Sequence, residues 1–155
     1  MIKHILIFIS SLLLSAGVLA EERKAVFDLT SGDPERIEGR IIETIKGLHE
    51  HYASIGIEFK PVVVISGNAY KYFIRDLDNS PFKEDGALAA LQPQFETAFT
   101  ELHTQYNVRF DMCGTGMKAR KIDASTLYPF VNTDKSKYVY LIDWQNAGYA
   151  YIPIP

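Results

Sequence analysis

Along the chain, runs of consecutive apolar residues alternate with segments whose apolar residues recur every third or fourth position. KAVFDL (24–29) has the first pattern and predicts a short buried strand. TSGDP then turns the chain into a helix, with Asp33 placed as its cap and Pro34 in the first turn, where a missing N–H costs nothing. Ile37, Ile41, Ile45 and Leu48 fall at helical spacing, Ile42 and Tyr52 widen that face, and the helix is expected to run to about Ser54 and stop near Gly56.

Residues 57–67, IEFKPVVVISG, form the second predicted strand, and the run Val62 to Ile65 implies burial on both faces. NAYKYFIRDL (68–77) is expected as a short helix, and DNSPFKEDG as a loop. From Ala87 to Tyr106 a longer helix turns Leu88, Leu91, Phe95, Phe99 and Leu102 inward, with Pro93 expected to kink or divide it. VRFDM (108–112) is the third strand; MKARK and DASTLYPFV are short helical or irregular pieces. KYVYLID (137–143) is expected as a fourth strand, WQNAG as a turn, and YAYIPI (149–154) as a final strand. On those two strands Tyr138 would share a face with Tyr140, and Tyr149 with Tyr151, as packing or as a subunit interface.

Alternating strands and helices predict an α/β domain, a three-layer sandwich with a mainly parallel central sheet. Such sheets bind ligands outside the carboxyl ends of their strands, near the point where strand order reverses. Thr30 to Asp33, Ser66 to Asn68, Cys113 to Gly116 and Asp143 to Gln145 are therefore expected along one edge.

The first twenty residues, MIKHILIFISSLLLSAGVLA, combine Lys3 and His4 with an apolar stretch and small residues before EERK. They read as a signal peptide cleaved after Ala20, which leaves residues 21–155 as one domain in an oxidising, periplasmic setting. The chain has 16 basic and 19 acidic residues and no basic run, so nucleic acid is a poor partner. No membrane association is expected once the leader is gone.

Only one cysteine is present, Cys113, at a strand end and ahead of Gly114, Thr115 and Gly116. Backbone N–H groups of that turn would favour a thiolate, and the glycines would admit a ligand; Lys118 and Arg120 would add positive charge. The bland alternative is a buried, inert cysteine. A lone thiol excludes an internal disulfide and a CxxC centre. His49, His51 and His103 fall away from the expected edge, as solvated or capping residues with no zinc spacing. Gly67 and Asn68 either offer donors to a small anion or form an ordinary turn with Asn68 as helix cap. The TSGDP turn around Thr30 lacks the glycine patterns of nucleotide sites, so no cofactor is expected.

VFDLTSGD, PVVVISGNA, VRFDMCGTGMK and YLIDWQNAGYAYIPI, in this order, resemble the DsrE/DsrF-like family, in particular its exported branch. That resemblance implies a DsrE-like fold and assembly into trimers or hexamers. It also implies a sulfur-relay chemistry in which a cysteine carries a persulfide, at the position of Cys113, with a donor and an acceptor thiol protein as partners. Three readings stand side by side: a sulfur carrier, a binding module whose cleft Cys113 lines without turnover, and an oligomeric scaffold with an inert cysteine.

Overall fold

The computed structural model describes residues 21–155, so the expected leader lies outside the described residues. Five strands, β1 (Glu22–Leu29), β2 (Glu58–Ile65), β3 (Arg109–Met112), β4 (Val131–Asn132) and β5 (Ala150–Ile154), form one sheet in the order β4-β3-β2-β1-β5. Every pairing is parallel. The strand order reverses between β1 and β5.

One face of the sheet carries the main core. Alternation along the strands sends Phe27 and Leu29, Val63 and Ile65, and Phe110 and Met112 to this side. Two helical segments, side by side in one layer, cover them. The first is α1 (Pro34–Ile37), which passes through π-helical turns (Glu38–Glu43) into α2 (Thr44–Ser54). Asp33 caps it as expected, accepting from the Glu35 N–H at 3.1 Å. In the widened turns the Thr44 hydroxyl donates to the carbonyl of Gly39, five residues back, at 2.9 Å.

The second is α3 (Gly86–Gln105), which runs unbroken through Pro93. Its Phe99 stacks on Phe73 at 4.4 Å between ring centroids and meets Phe110 edge-on at 5.8 Å. Truncating one such ring would cost about 3–5 kcal/mol.

The other face is thinner. Val26, Val62 and Val64 lie under a single helix, α5 (Lys137–Asn146), whose Tyr140 and Leu141 are buried on them. This helix occupies the segment expected as a fourth strand. KYVYLID is rich in β-branched and aromatic residues, but Ser136 caps it by accepting from the Val139 N–H, and Tyr140, Leu141 and Trp144 then fall on one helical face. Tyr138 and Tyr140 consequently do not share a face: Tyr140 is buried and Tyr138 is 74% exposed.

A shorter helix, α4 (Gly114–Ala119), follows β3 directly, and a 3₁₀ helix (Ala69–Phe73) follows β2. No helix among the described residues is long and apolar enough to cross a membrane.

Candidate functional site: a cysteine where two helices begin

The backbone leaves β3 at Met112, and the Cys113 N–H closes the sheet by donating to the Ile65 carbonyl at 3.0 Å. Cys113 is the N-cap residue of α4. The first residue of α5, Lys137, also lies beside it, because the Gly114 N–H donates to the carbonyl of Lys135 at 2.9 Å and ties the α5 entry to the α4 entry. Thus two helices begin around one sulfur.

Cys113 is 9% exposed and belongs to the main core, so the thiol expected at the mouth of a site is mostly covered. Burial, the largest single influence, pushes the thiol's pKa up. The N–H groups of Gly116 and Lys137, the Tyr70 hydroxyl and the Thr115 N–H outweigh it together, and the net shift is downward. The sulfur makes no capping hydrogen bond of full geometry to α4. These donors therefore surround it in an arrangement that a charged sulfur would exploit more than a neutral thiol.

The glycines serve differently from expectation. The Gly114 N–H is taken by Lys135, and a Cβ at Gly114 would meet the Thr133 carbonyl oxygen at 2.4 Å. At Gly116 it would meet the Tyr70 hydroxyl oxygen at 1.9 Å. Both positions are glycine because other parts of the chain are packed against them and leave no room for a side chain. Thr115 is exposed on α4.

The ends of β1 and β2 do come together. Gly67, at φ +64°, is pressed against Thr30, whose carbonyl accepts from the Asn68 N–H at 3.0 Å. The Thr30 hydroxyl is turned to the Ile154 carbonyl at 3.4 Å, so Thr30 ties three strand ends together. Asn68 precedes the 3₁₀ helix but makes no side-chain capping bond. A pocket of about 570 Å³ opens there, lined by Ser31 to Asp33, Gly67, Asn68, Tyr70, Lys71, Phe82 and Arg120. Cys113 is not among its lining residues, and Tyr70 lies between the two.

Cys113 stands at the end of β3, on the expected edge of the sheet and two strands from the reversal between β1 and β5. Two expectations are corrected. Asp143 to Gln145 lie in the second half of α5, where Trp144 packs on Tyr149 and Arg109 toward the strand starts, and they do not join the site. His49 packs edge-on against Tyr106 and is a packing residue, whereas His103 stays exposed near the end of α3, stacked on Phe130 and with its Nδ1 3.1 Å from the Val108 carbonyl oxygen, as a solvated or capping residue would be. Among the described residues no group of three or more His, Cys, Asp or Glu side chains is gathered for a metal ion.

Tyr70 and Lys137 carry no local signal in the sequence. Tyr70 meets Cys113 only through tertiary packing, and Lys137 only once Ser136 is read as a helix cap. Arg120 is found with its guanidinium over the Tyr70 ring, 4.7 Å from the centroid.

Comparison with known proteins agrees with this architecture. An uncharacterized protein of Aquifex aeolicus (strain VF5) is 31% identical over 146 residues, covering 94% of this chain and 62% of its own. The chain thus spans less than two thirds of that relative. The solved structure of a protein of unknown function from Methanobacterium thermoautotrophicum superposes with a TM-score of 0.52 at 21% identity, over 86% of this chain and 98% of that one, a likeness of fold. The model of the DsrE/DsrF-like family matches residues 24–154, nearly the whole described chain, and the protein belongs to that family.

Proposed function

We propose that this protein is an exported, periplasmic sulfur carrier that holds a persulfide on Cys113. The observation that carries the reading is the position of that sulfur among N–H groups from the starts of α4 and α5, with its pKa drawn down despite burial. A thiolate there attacks the outer sulfur of a persulfide donor, R–S–SH. The donor's S–S bond breaks, its electron pair leaves with the donor thiolate, and Cys113 becomes Cys–S–SH. Ionised, this group spreads its charge toward the N–H groups of Thr115, Gly116 and Lys137. An acceptor thiolate then takes the outer sulfur, and Cys113 departs as thiolate, ready for another donor.

Export rests on the leader-like pattern of residues 1–20. Assembly into a homo-oligomer is part of the same reading. Its support is the outer face of α5, where Tyr138, Val139 and Ile142 are exposed, with Tyr151 45% exposed on β5. A loaded protein given a small thiol should return to its unloaded mass and leave a persulfide on that thiol. If Cys113→Ser supports the same transfer, the carrier is elsewhere or absent.

A second reading is favoured by the pocket beside Tyr70, which excludes Cys113 from its lining. It makes the protein a binding module for a small polar ligand without turnover. A ligand that raises the melting temperature of wild type and Cys113→Ser alike would support it.

A further inference from the structure

Tyr70 is 2% exposed, and its hydroxyl donates to the Cys113 carbonyl oxygen at 3.0 Å. The hydroxyl sits where any side chain at position 116 would have to be, since a Cβ on Gly116 would lie 1.9 Å from its oxygen. The Arg120 guanidinium lies over the ring, 4.7 Å from its centroid, and the ring forms part of the pocket wall. A buried tyrosine fixed from three sides, with its hydroxyl on the cysteine's own peptide, does more than fill space.

We propose that Tyr70 is the positioning residue of Cys113: seated in the gap left by Gly116, its hydroxyl holds the cysteine peptide so that the sulfur faces the N–H groups of α4 and α5. With its one proton committed to that carbonyl, the hydroxyl acts on the sulfur through the peptide it holds, and burial pushes the Tyr70 pKa up, so the group stays protonated in that role. In sulfur transfer this matters when Cys113 departs as thiolate. The inference rests on Cys113 being the working thiol of the proposed function.

Other charged groups on the surrounding elements are engaged elsewhere. Lys71 pairs with Asp85, Lys135 with Asp143 and Lys137 with Asp28, while Asp134 accepts from the Tyr140 hydroxyl. Lys118 is exposed and Arg120 is on the Tyr70 ring. Tyr70 is thus the side chain whose polar atom is fixed on the Cys113 peptide.

The test is the pH dependence of Cys113 alkylation by iodoacetamide in wild type, Tyr70→Phe and Gly116→Ala. The midpoint is the quantity to read, because a thiolate of higher pKa is intrinsically more nucleophilic and would mask the change in rate at one pH. Loss of the hydroxyl should raise the midpoint by about half to one pH unit, a three- to tenfold drop in thiolate fraction below it. Gly116→Ala, which crowds the same hydroxyl, should raise it too, but its own N–H also faces the sulfur, so Tyr70→Phe decides. A midpoint unchanged in Tyr70→Phe overturns the proposal. No sulfur donor enters this titration, so raised midpoints with a Cys113 that never accepts sulfur would uphold the role of Tyr70 while ending the carrier reading.

Discussion

Gly116 and Tyr70 are fitted to one another: the hydroxyl oxygen of the tyrosine occupies the place where a methyl on the glycine would stand, 1.9 Å from the Cβ position. Gly116→Ala must push the ring or the start of α4 aside, and overpacking of this kind costs about 1–3 kcal/mol. In a Tyr70→Phe background the clash partner is smaller, so the same substitution should cost less. Denaturant unfolding of the four proteins of that cycle measures the difference, and strictly additive effects would show that the two residues do not press on each other.

Asp85 caps α3 by accepting from the Leu88 N–H at 2.9 Å and pairs with Lys71 at 3.1 Å. The Leu88 N–H first, and then the Lys71 hydrogen bond, hold its carboxyl below the ordinary carboxylate value. A depressed folded pKa gives stability that is present above the unfolded value and lost as pH falls through the folded one. Asp85→Ala should cost about 1 kcal/mol at neutral pH. The gap between wild-type and variant melting temperatures should close as pH is lowered through the carboxylate range; a gap that persists in acid would mean the carboxylate charge is not what stabilises the cap.

On the thin face of the sheet, Asp111 is fully buried, accepting from the Trp144 indole N–H at 2.8 Å and pairing with Arg109 at 2.8 Å. Burial raises its pKa, against the pull of Trp144, Arg109 and Asn132. Arg109 is half exposed and would recover water if Asp111 were removed, whereas the indole N–H would lose its partner. Asp111→Ala should therefore destabilise by on the order of 2–3 kcal/mol. Asp111→Asn keeps an acceptor for Trp144 and should recover part of the loss in thermal melts, and equal losses would argue against the indole contact.

Tyr138 and Ile142 stand four residues apart on the outer side of α5, 74% and 57% exposed. If this face joins subunits, Tyr138→Ser with Ile142→Ser should lower the mass measured by light scattering and leave the circular dichroism of the protomer unchanged. An unaltered mass, or a monomeric wild type, would remove α5 from any interface.

Much of this architecture could be read in advance, because burial writes itself into local pattern. The runs AVF and VVVI mark strands covered on both faces, and Ile37, Ile41 and Ile45 mark the helix laid over them. The segment 137–143 could not be read by composition: β-branched and aromatic residues favour a strand, and the Ser136 cap with tertiary packing on Val26, Val62 and Val64 overrode them. That one reversal conceals half of the candidate site, since the N–H of Lys137 reaches Cys113 only when α5 is a helix. The glycines of CGTG were legible as special but not as to reason. Their neighbours, Thr133 and Tyr70, come from distant parts of the chain.

Whether Cys113 accepts sulfur is read by intact and peptide mass spectrometry of the native protein after brief exposure to polysulfide, followed by removal of the donor. One added sulfur atom is expected, located on the Cys113 peptide, removed by a reducing thiol, and absent from Cys113→Ser. A wild-type protein that stays as unmodified as Cys113→Ser would contradict the carrier reading.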